Sequence, residues 1–189
     1  LYICSNLTNK LMKQVLVFAG SNSNKSINKK LAIYASTFIK NLKIKILDLN
    51  DFELPIYSEQ HQTDFGIPEN AIEFLSNIKA SEGIILSLAE HNGAYTAAFK
   101  NLFDWMSVKD SKLWSNIPML LLATSPGTRG GKSVLEIAKS RFPYMGGNII
   151  DTFSLPLFSD NFKENKIINS DLNEVLKLKV KSLESFLTK

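Results

Sequence analysis

At 189 residues the chain has the length of one domain, and its 44% hydrophobic and 21% charged residues are those of an ordinary globular protein. A single cysteine, Cys4, forbids an intrachain disulfide framework, and with His61 and His91 as the two histidines it argues against a Cys/His zinc site. The 22 basic and 18 acidic residues leave a formal charge of +4 without a basic run interleaved with aromatics, which speaks against nucleic acid, and no apolar run is long enough for a membrane span.

Residues 1–12 read as an N-terminal extension, disordered or foreign to the fold, ahead of a single domain over residues 13–189. The first eleven residues lack the basic start, apolar run and small-residue cleavage site of a signal peptide, which with the lone cysteine points to the cytoplasm. From Gln14 onward, short apolar runs alternate with amphipathic stretches. The segments 14–19, 44–49, 83–88, 118–124 and 148–155 read as strands, and three of them are nearly continuous apolar runs, as in a parallel sheet covered on both faces.

Helical spacing falls between the strands. Ile27, Leu31, Tyr34, Ala35 and Phe38 share one face, and Tyr95, Ala98, Phe99, Leu102, Phe103 and Met106 share another. Ser133 and Glu136 have capping-box spacing, with Pro143 as the stop. Leu172, Val175, Leu176, Val180, Leu183 and Leu187 form the stripe of a C-terminal helix. Five strands alternating with five helices predict an α/β fold: a flavodoxin-like three-layer sandwich whose five-stranded parallel sheet has the order 2-1-3-4-5, with helices on both faces. Ligands bind such a sheet outside the carboxyl ends of the strands, where the strand order reverses.

Three loops meet that edge. The first, residues 20–28, holds Ser21, Ser23, Ser26, Asn28 and Lys25 at a helix start, where hydroxyls, amides and free N–H groups suit a phosphate; equally, Ser26 or Asn28 could serve only as a helix cap. Neither a GxGxxG fingerprint nor a GxxxxGK[ST] loop is present. The second loop, Ala89-Glu90-His91-Asn92-Gly93, offers backbone polar groups for the edge of a flat heterocycle, or forms a simple turn with Asn92 as helix cap. His91 is read as a surface residue ahead of a catalytic acid. In the third loop, Ser125-Pro126-Gly127-Thr128-Arg129-Gly130-Gly131, three glycines allow close approach to a ligand, and Arg129 could meet a phosphate.

These motifs resemble the NAD(P)H-dependent FMN reductase family, flavodoxin-like enzymes that include quinone, azo-dye and chromate reductases. Gly20, Ser21, Ser26 and Asn28 fit its G-S-x-R-x-x-S-x-N loop; Glu90, Asn92, Gly93, Lys100, Asn101, Asp104 and Trp105 fit its T-P-E-Y-N-G and K-N-x-x-D-W signatures. Leu54-Pro55-Ile56-Tyr57 resembles the L-P-x-Y segment, and Ser125, Gly127, Gly130 and Gly131 resemble the S-x-G-x-x-G-G loop. Ser23 stands where the family has arginine, Leu88 and Ala89 replace Thr-Pro, and His91 replaces tyrosine.

The resemblance implies FMN with its phosphate on residues 21–28, Ile27 included, and its ring edge along residues 89–93, with Pro55, Ile56, Tyr57 and the 125–131 loop completing the site. It implies a hydride passing from NADPH or NADH through the flavin N5 to a small acceptor (free flavin, quinone or azo compound) by a ping-pong cycle, without a catalytic side chain. It also implies a homodimer or homotetramer, for which Trp105 and Trp114 read as interface anchors and Phe99 and Phe103 as core. The other reading is a flavodoxin-type electron carrier that binds FMN without oxidising nicotinamide; the basic charge and the missing T-x-T-G-x-T loop weigh against it. Lys25, Arg129 and Lys132 stand as candidate contacts to a 2′-phosphate, which leaves NADH and NADPH both open.

Overall fold

The computed structural model describes residues 13–188, so the extension expected over residues 1–12 lies outside the described residues. The sheet is carried by β1 Gln14–Gly20, β2 Lys43–Ile46, β3 Gly83–Leu88, β4 Pro118–Thr124 and β5 Asn148–Leu155. They run parallel in the spatial order β2-β1-β3-β4-β5, as expected. Of the helices α1 Ile27–Ser36, α2 Glu59–Phe65, α3 Glu69–Lys79, α4 Ala97–Lys109, α5 Lys132–Arg141 and α6 Ser170–Leu187, all but α2 cover it; α2 buries no residue and lies in the connection before α3.

Alternation along each central strand divides the core. Leu16, Phe18, Ile84, Leu86, Met119 and Leu121 face α3, α4 and α5, whereas Val15, Val17, Ile85, Leu120 and Leu122 face α1 and α6. Side chains alternate across a strand, so apolar residues at successive positions require a helix layer on each face, and that explains the continuous runs.

The expected boundaries move where polar side chains intervene. Strand β2 ends at Ile46 instead of residue 49, because Asp48 turns the chain into a short 3-10 turn and its carboxylate accepts from Asn50 N. Helix α1 stops before Phe38, where the hydroxyls of Ser36 and Thr37 donate back to carbonyls three residues earlier. Two helices, not one, join β2 to β3, since Gly66 at φ 77° ends α2 and Pro68 precedes α3.

Tyr95 lies outside α4, in a two-residue hairpin strand, and Thr96 caps the helix. Val175 does not belong to the buried stripe of α6. It is 41% exposed, while Leu176, Val180, Leu183 and Leu187 are buried against the sheet. Trp105 and Trp114 are fully buried, which corrects their reading as interface anchors; Phe99 and Phe103 are core, as expected. Trp114 packs with Phe103 and Phe142, and neither its indole N–H nor the Tyr95 hydroxyl, both buried, has a hydrogen-bond partner among the described residues.

Adjacent positions on α6 test this assignment. Leu176→Ala is expected to cost about 2–5 kcal/mol, and Val175→Ala to stay within about 0.5 kcal/mol of wild type, read as shifts of the urea midpoint with unchanged slope.

Candidate functional site

The carboxyl ends of β1, β3 and β4 are locked together by one side chain. Asn28, in the first turn of α1, is buried; its Oδ1 accepts from Ser87 Oγ (2.8 Å) and Thr124 N (3.0 Å), and its Nδ2 donates to Thr124 O (3.1 Å). Asn28 therefore fixes the first loop against β3 and β4 through its side chain. Nearby, Thr96 Oγ1 donates to Gly20 O at the end of β1 and accepts from Phe99 N, which fixes the start of α4 to the same edge.

The first loop is built from hydroxyls that each accept a backbone N–H. Ser21 Oγ accepts from Ser23 N, Ser23 Oγ from Lys25 N, and Ser26 Oγ caps α1 by accepting from Lys29 N. Each hydroxyl proton is thereby left to point elsewhere, and the N–H groups of Ile27 and Asn28 in the first turn have no intrahelical acceptor. Lys25 stands beside them, and Ser26 caps α1 while also lining the cavity at this edge.

Asn92 at φ 52° and Gly93 at φ 77° make the second loop a two-residue turn between Glu90–His91 and Ala94–Tyr95. Both positive φ values match the Asn-Gly hairpin turn. Asn92 is thus a turn residue and not a helix cap. Burial pushes the Tyr95 phenol well above its ordinary range.

The expected capping box of α5 does not form. Gly131, at φ 77°, occupies the cap position, and Ser133 Oγ accepts from the Arg129 guanidinium instead. The N–H that a cap would take, Val134 N, donates to Glu90 Oε2 at 3.0 Å. A carboxylate 44 residues away in sequence therefore caps α5 at its positive end and ties the hairpin to the third loop.

Two of the three glycines in the third loop serve packing. A Cβ on Gly130 (φ 59°) would sit 2.4 Å from Ser154 Oγ, and one on Gly131 2.8 Å from Ala123 Cβ. Packing alone therefore requires glycine at both positions. Gly127 faces open space, with only Ser125 Oγ near.

These loops enclose a cavity of about 300 Å3 lined by Ser21, Ser23, Lys25, Ser26, Ile27, Asn28, Ala89, Glu90, His91, Thr124, Ser125 and Pro126. Most of the expected site residues are brought together there. Asn92, Gly93, Gly127, Gly130 and Gly131 shape its walls without lining it, and Thr124 joins it although the sequence did not single it out. Its hydroxyl is spent on Leu155 O.

Pro55, Ile56 and Tyr57 lie apart. Pro55 O accepts from Asn101 Nδ2 (2.9 Å) and Trp105 Nε1 (2.8 Å), Tyr57 N donates to Asn101 Oδ1, and the Tyr57 ring meets Trp105 edge-on. Asn101 and Trp105 of the K-N-x-x-D-W signature therefore clamp the L-P-x-Y segment, while Lys100 and Asp104 pair with each other. Ile56, 85% exposed, borders a second cavity of about 480 Å3 next to the first. Asp48 stands behind that segment, paired with Lys29 of α1; burial would raise its carboxyl, but Lys29 and the Asn50 donors hold it below its ordinary value.

A sequence model of one family, described as NADPH-dependent FMN reductase, matches residues 13–160. A Mycoplasma pneumoniae protein named uncharacterized protein MG342 homolog is 27% identical over 78% of this chain and 89% of its own length. A quinone reductase of Pseudomonas putida is 31% identical, the match covering 62% of each chain. Among solved structures, the flavoenzyme NAD(P)H:(acceptor) oxidoreductase FerB of Paracoccus denitrificans superposes with a TM-score of 0.74 over 93% of this chain and 97% of its own, at 22% identity, a likeness of fold.

Two substitutions probe the framework. Asn28→Ala strands Thr124 N–H and C=O and the Ser87 hydroxyl, and should lower the unfolding free energy by about 3 kcal/mol in urea titration. Glu90→Ala should cost about 1 kcal/mol and speed hydrogen exchange at Val134, while Glu90→Gln, which keeps an acceptor oxygen, should restore most of that protection.

Proposed function

We propose, for a chain that belongs to the NADPH-dependent FMN reductase family, that residues 13–189 form one FMN-binding domain oxidising NADPH or NADH and reducing a small acceptor such as a quinone, an azo compound or free flavin. The observation that carries this reading is the cavity of about 300 Å3 at the reversal of strand order, where a hydroxyl cradle and Lys25 at a helix N-terminus face the walls of two further loops.

The cradle fits a phosphate monoester. The hydroxyls of Ser21, Ser23 and Ser26, the Lys25 ammonium and the N–H groups of Ile27 and Asn28 converge as donors, with the positive end of the ten-residue helix α1 behind them. Lys25 supplies the positive charge that the family's arginine, here Ser23, would bring. Residues 89–93 and 125–127 take the ring edge, Ala89 and Pro126 giving apolar contact and the loop backbone giving polar contact. Bound FMN supplies transfer of two electrons between nicotinamide and acceptor, so that both use one site in alternation, the ping-pong order.

The protein's part is to bind, orient and exclude water. Asn28 and Thr96 keep the three loop bases fixed, and the Glu90 cap holds the hairpin against α5. His91, exposed beside the cavity, occupies the position where a tyrosine wall is replaced, and it shapes the acceptor's entrance. Among the described residues no helix is long and apolar enough to cross a membrane. The reading extends to a cytoplasmic homodimer, for which the exposed Ile56 and Phe65 offer an apolar patch.

Reconstitution with FMN, followed by NADPH and NADH oxidation with quinone, azo dye and free FMN as separate acceptors, tests the reading. Ser26→Ala with Lys25→Ala is expected to weaken FMN binding about tenfold to a hundredfold by fluorescence quenching. Bound flavin without nicotinamide oxidation would identify an electron carrier instead, and a protein that binds no flavin would overturn both.

A further inference from the structure

The larger cavity plays no part in holding the flavin phosphate. It is bounded by the loop after β2, by the first turns of α4 and by Asn22, which sits between Ser21 and Ser23 of the cradle. A single residue thus separates the two cavities. A dinucleotide donor has two halves, and when its nicotinamide lies against a flavin held in the first cavity its adenosine must lie on an adjoining surface.

The walls of the second cavity suit an adenosine. Phe52, Leu54 and Leu102 give an apolar floor for a flat base, while Asn22 and Asn50 give amide groups at the rim. Asn101 contributes packing only, its amide being engaged with Tyr57 N and Pro55 O. Glu53 is the one charged residue that lines the cavity, and its carboxylate has neither an ion pair nor a hydrogen bond among the described residues. No lysine or arginine lines it. Lys29, the cation on the neighbouring helix turn, is paired with Asp48.

We propose that this cavity receives the adenosine half of the nicotinamide donor and that Glu53 accepts from the ribose hydroxyls, so that the protein favours NADH over NADPH. The inference rests on the reductase reading above. A carboxylate accepts hydrogen bonds from a 2′-hydroxyl and repels a 2′-phosphate, which an arginine would otherwise receive. The cation nearest the flavin, Lys25, lines the first cavity and not this one. NADPH recognition by Lys25, Arg129 or Lys132 would require the adenosine to lie toward the third loop.

The experiment titrates the FMN-loaded full chain with 5′-AMP and with adenosine 2′,5′-bisphosphate by calorimetry, and maps the contacts from amide shifts. The expected result is shifts at Asn22, Glu53 and Ala98, with the bisphosphate about tenfold weaker and Glu53→Gln closing that gap. The ratio of kcat/KM for NADH and NADPH should follow it. Equal affinities, a gap that survives Glu53→Gln, shifts confined to the third loop, or no binding of either nucleotide at millimolar concentration would each overturn the proposal. An FMN titration by fluorescence quenching reports separately on the first cavity: flavin binding with no discrimination at Glu53 overturns this inference alone, and discrimination without flavin binding overturns the reductase reading.

Discussion

Everything at the ligand-binding edge depends on the buried amide of Asn28. Three strands end near it, and each is followed by a loop that must be held in place. One side chain satisfies the Thr124 backbone on both its N–H and C=O and receives the Ser87 hydroxyl, with all three residues almost completely buried. Unpaired, these groups would each carry a desolvation cost. Paired, they allow one relative placement of the strand ends, because an amide can meet a neighbouring peptide on both sides only when aligned with it.

Around that anchor, the same economy of donors recurs. The hydroxyl oxygens of Ser21, Ser23 and Ser26 hold the turn, and their protons are given to no group among the described residues. Lys25 and Glu90 line the first cavity, Glu53 lines the second, and Asp48 is paired with Lys29.

Strands β3 and β4 begin and end where the apolar pattern places them, since burial on both faces leaves an uninterrupted signal; β5 keeps its expected bounds although it is a mostly half-buried edge strand of mixed sequence. The reversal of strand order, and with it the three loops, was legible for the same reason. Details that depend on partners distant in the chain were not. Nothing near Ser133 reveals that Glu90 has taken over the cap of α5, so local capping-box spacing misleads. An aromatic-rich stretch marks Trp105 and Trp114 as apolar contacts without saying which neighbour covers them. Gly130 and Gly131 read as allowing close approach to a ligand, but the sequence does not show that packing against Ser154 and Ala123 already requires glycine there. In contrast, the Asn92-Gly93 turn was readable; its hairpin signal was obscured by the helix that follows three residues later.

That hairpin is anchored at both feet and free at its tip. Glu90 is bound into α5 at one foot and Thr96 into β1 at the other, while His91, Asn92 and Ala94 between them are exposed. Changes to the tip do not propagate into the helices, because the bonds that hold those helices lie outside it. The fold thus separates the residues that evolution or a designer can exchange from those that maintain the architecture. Transplanting a different tip between the same two feet would diversify which compounds gain access while the foundation stays intact.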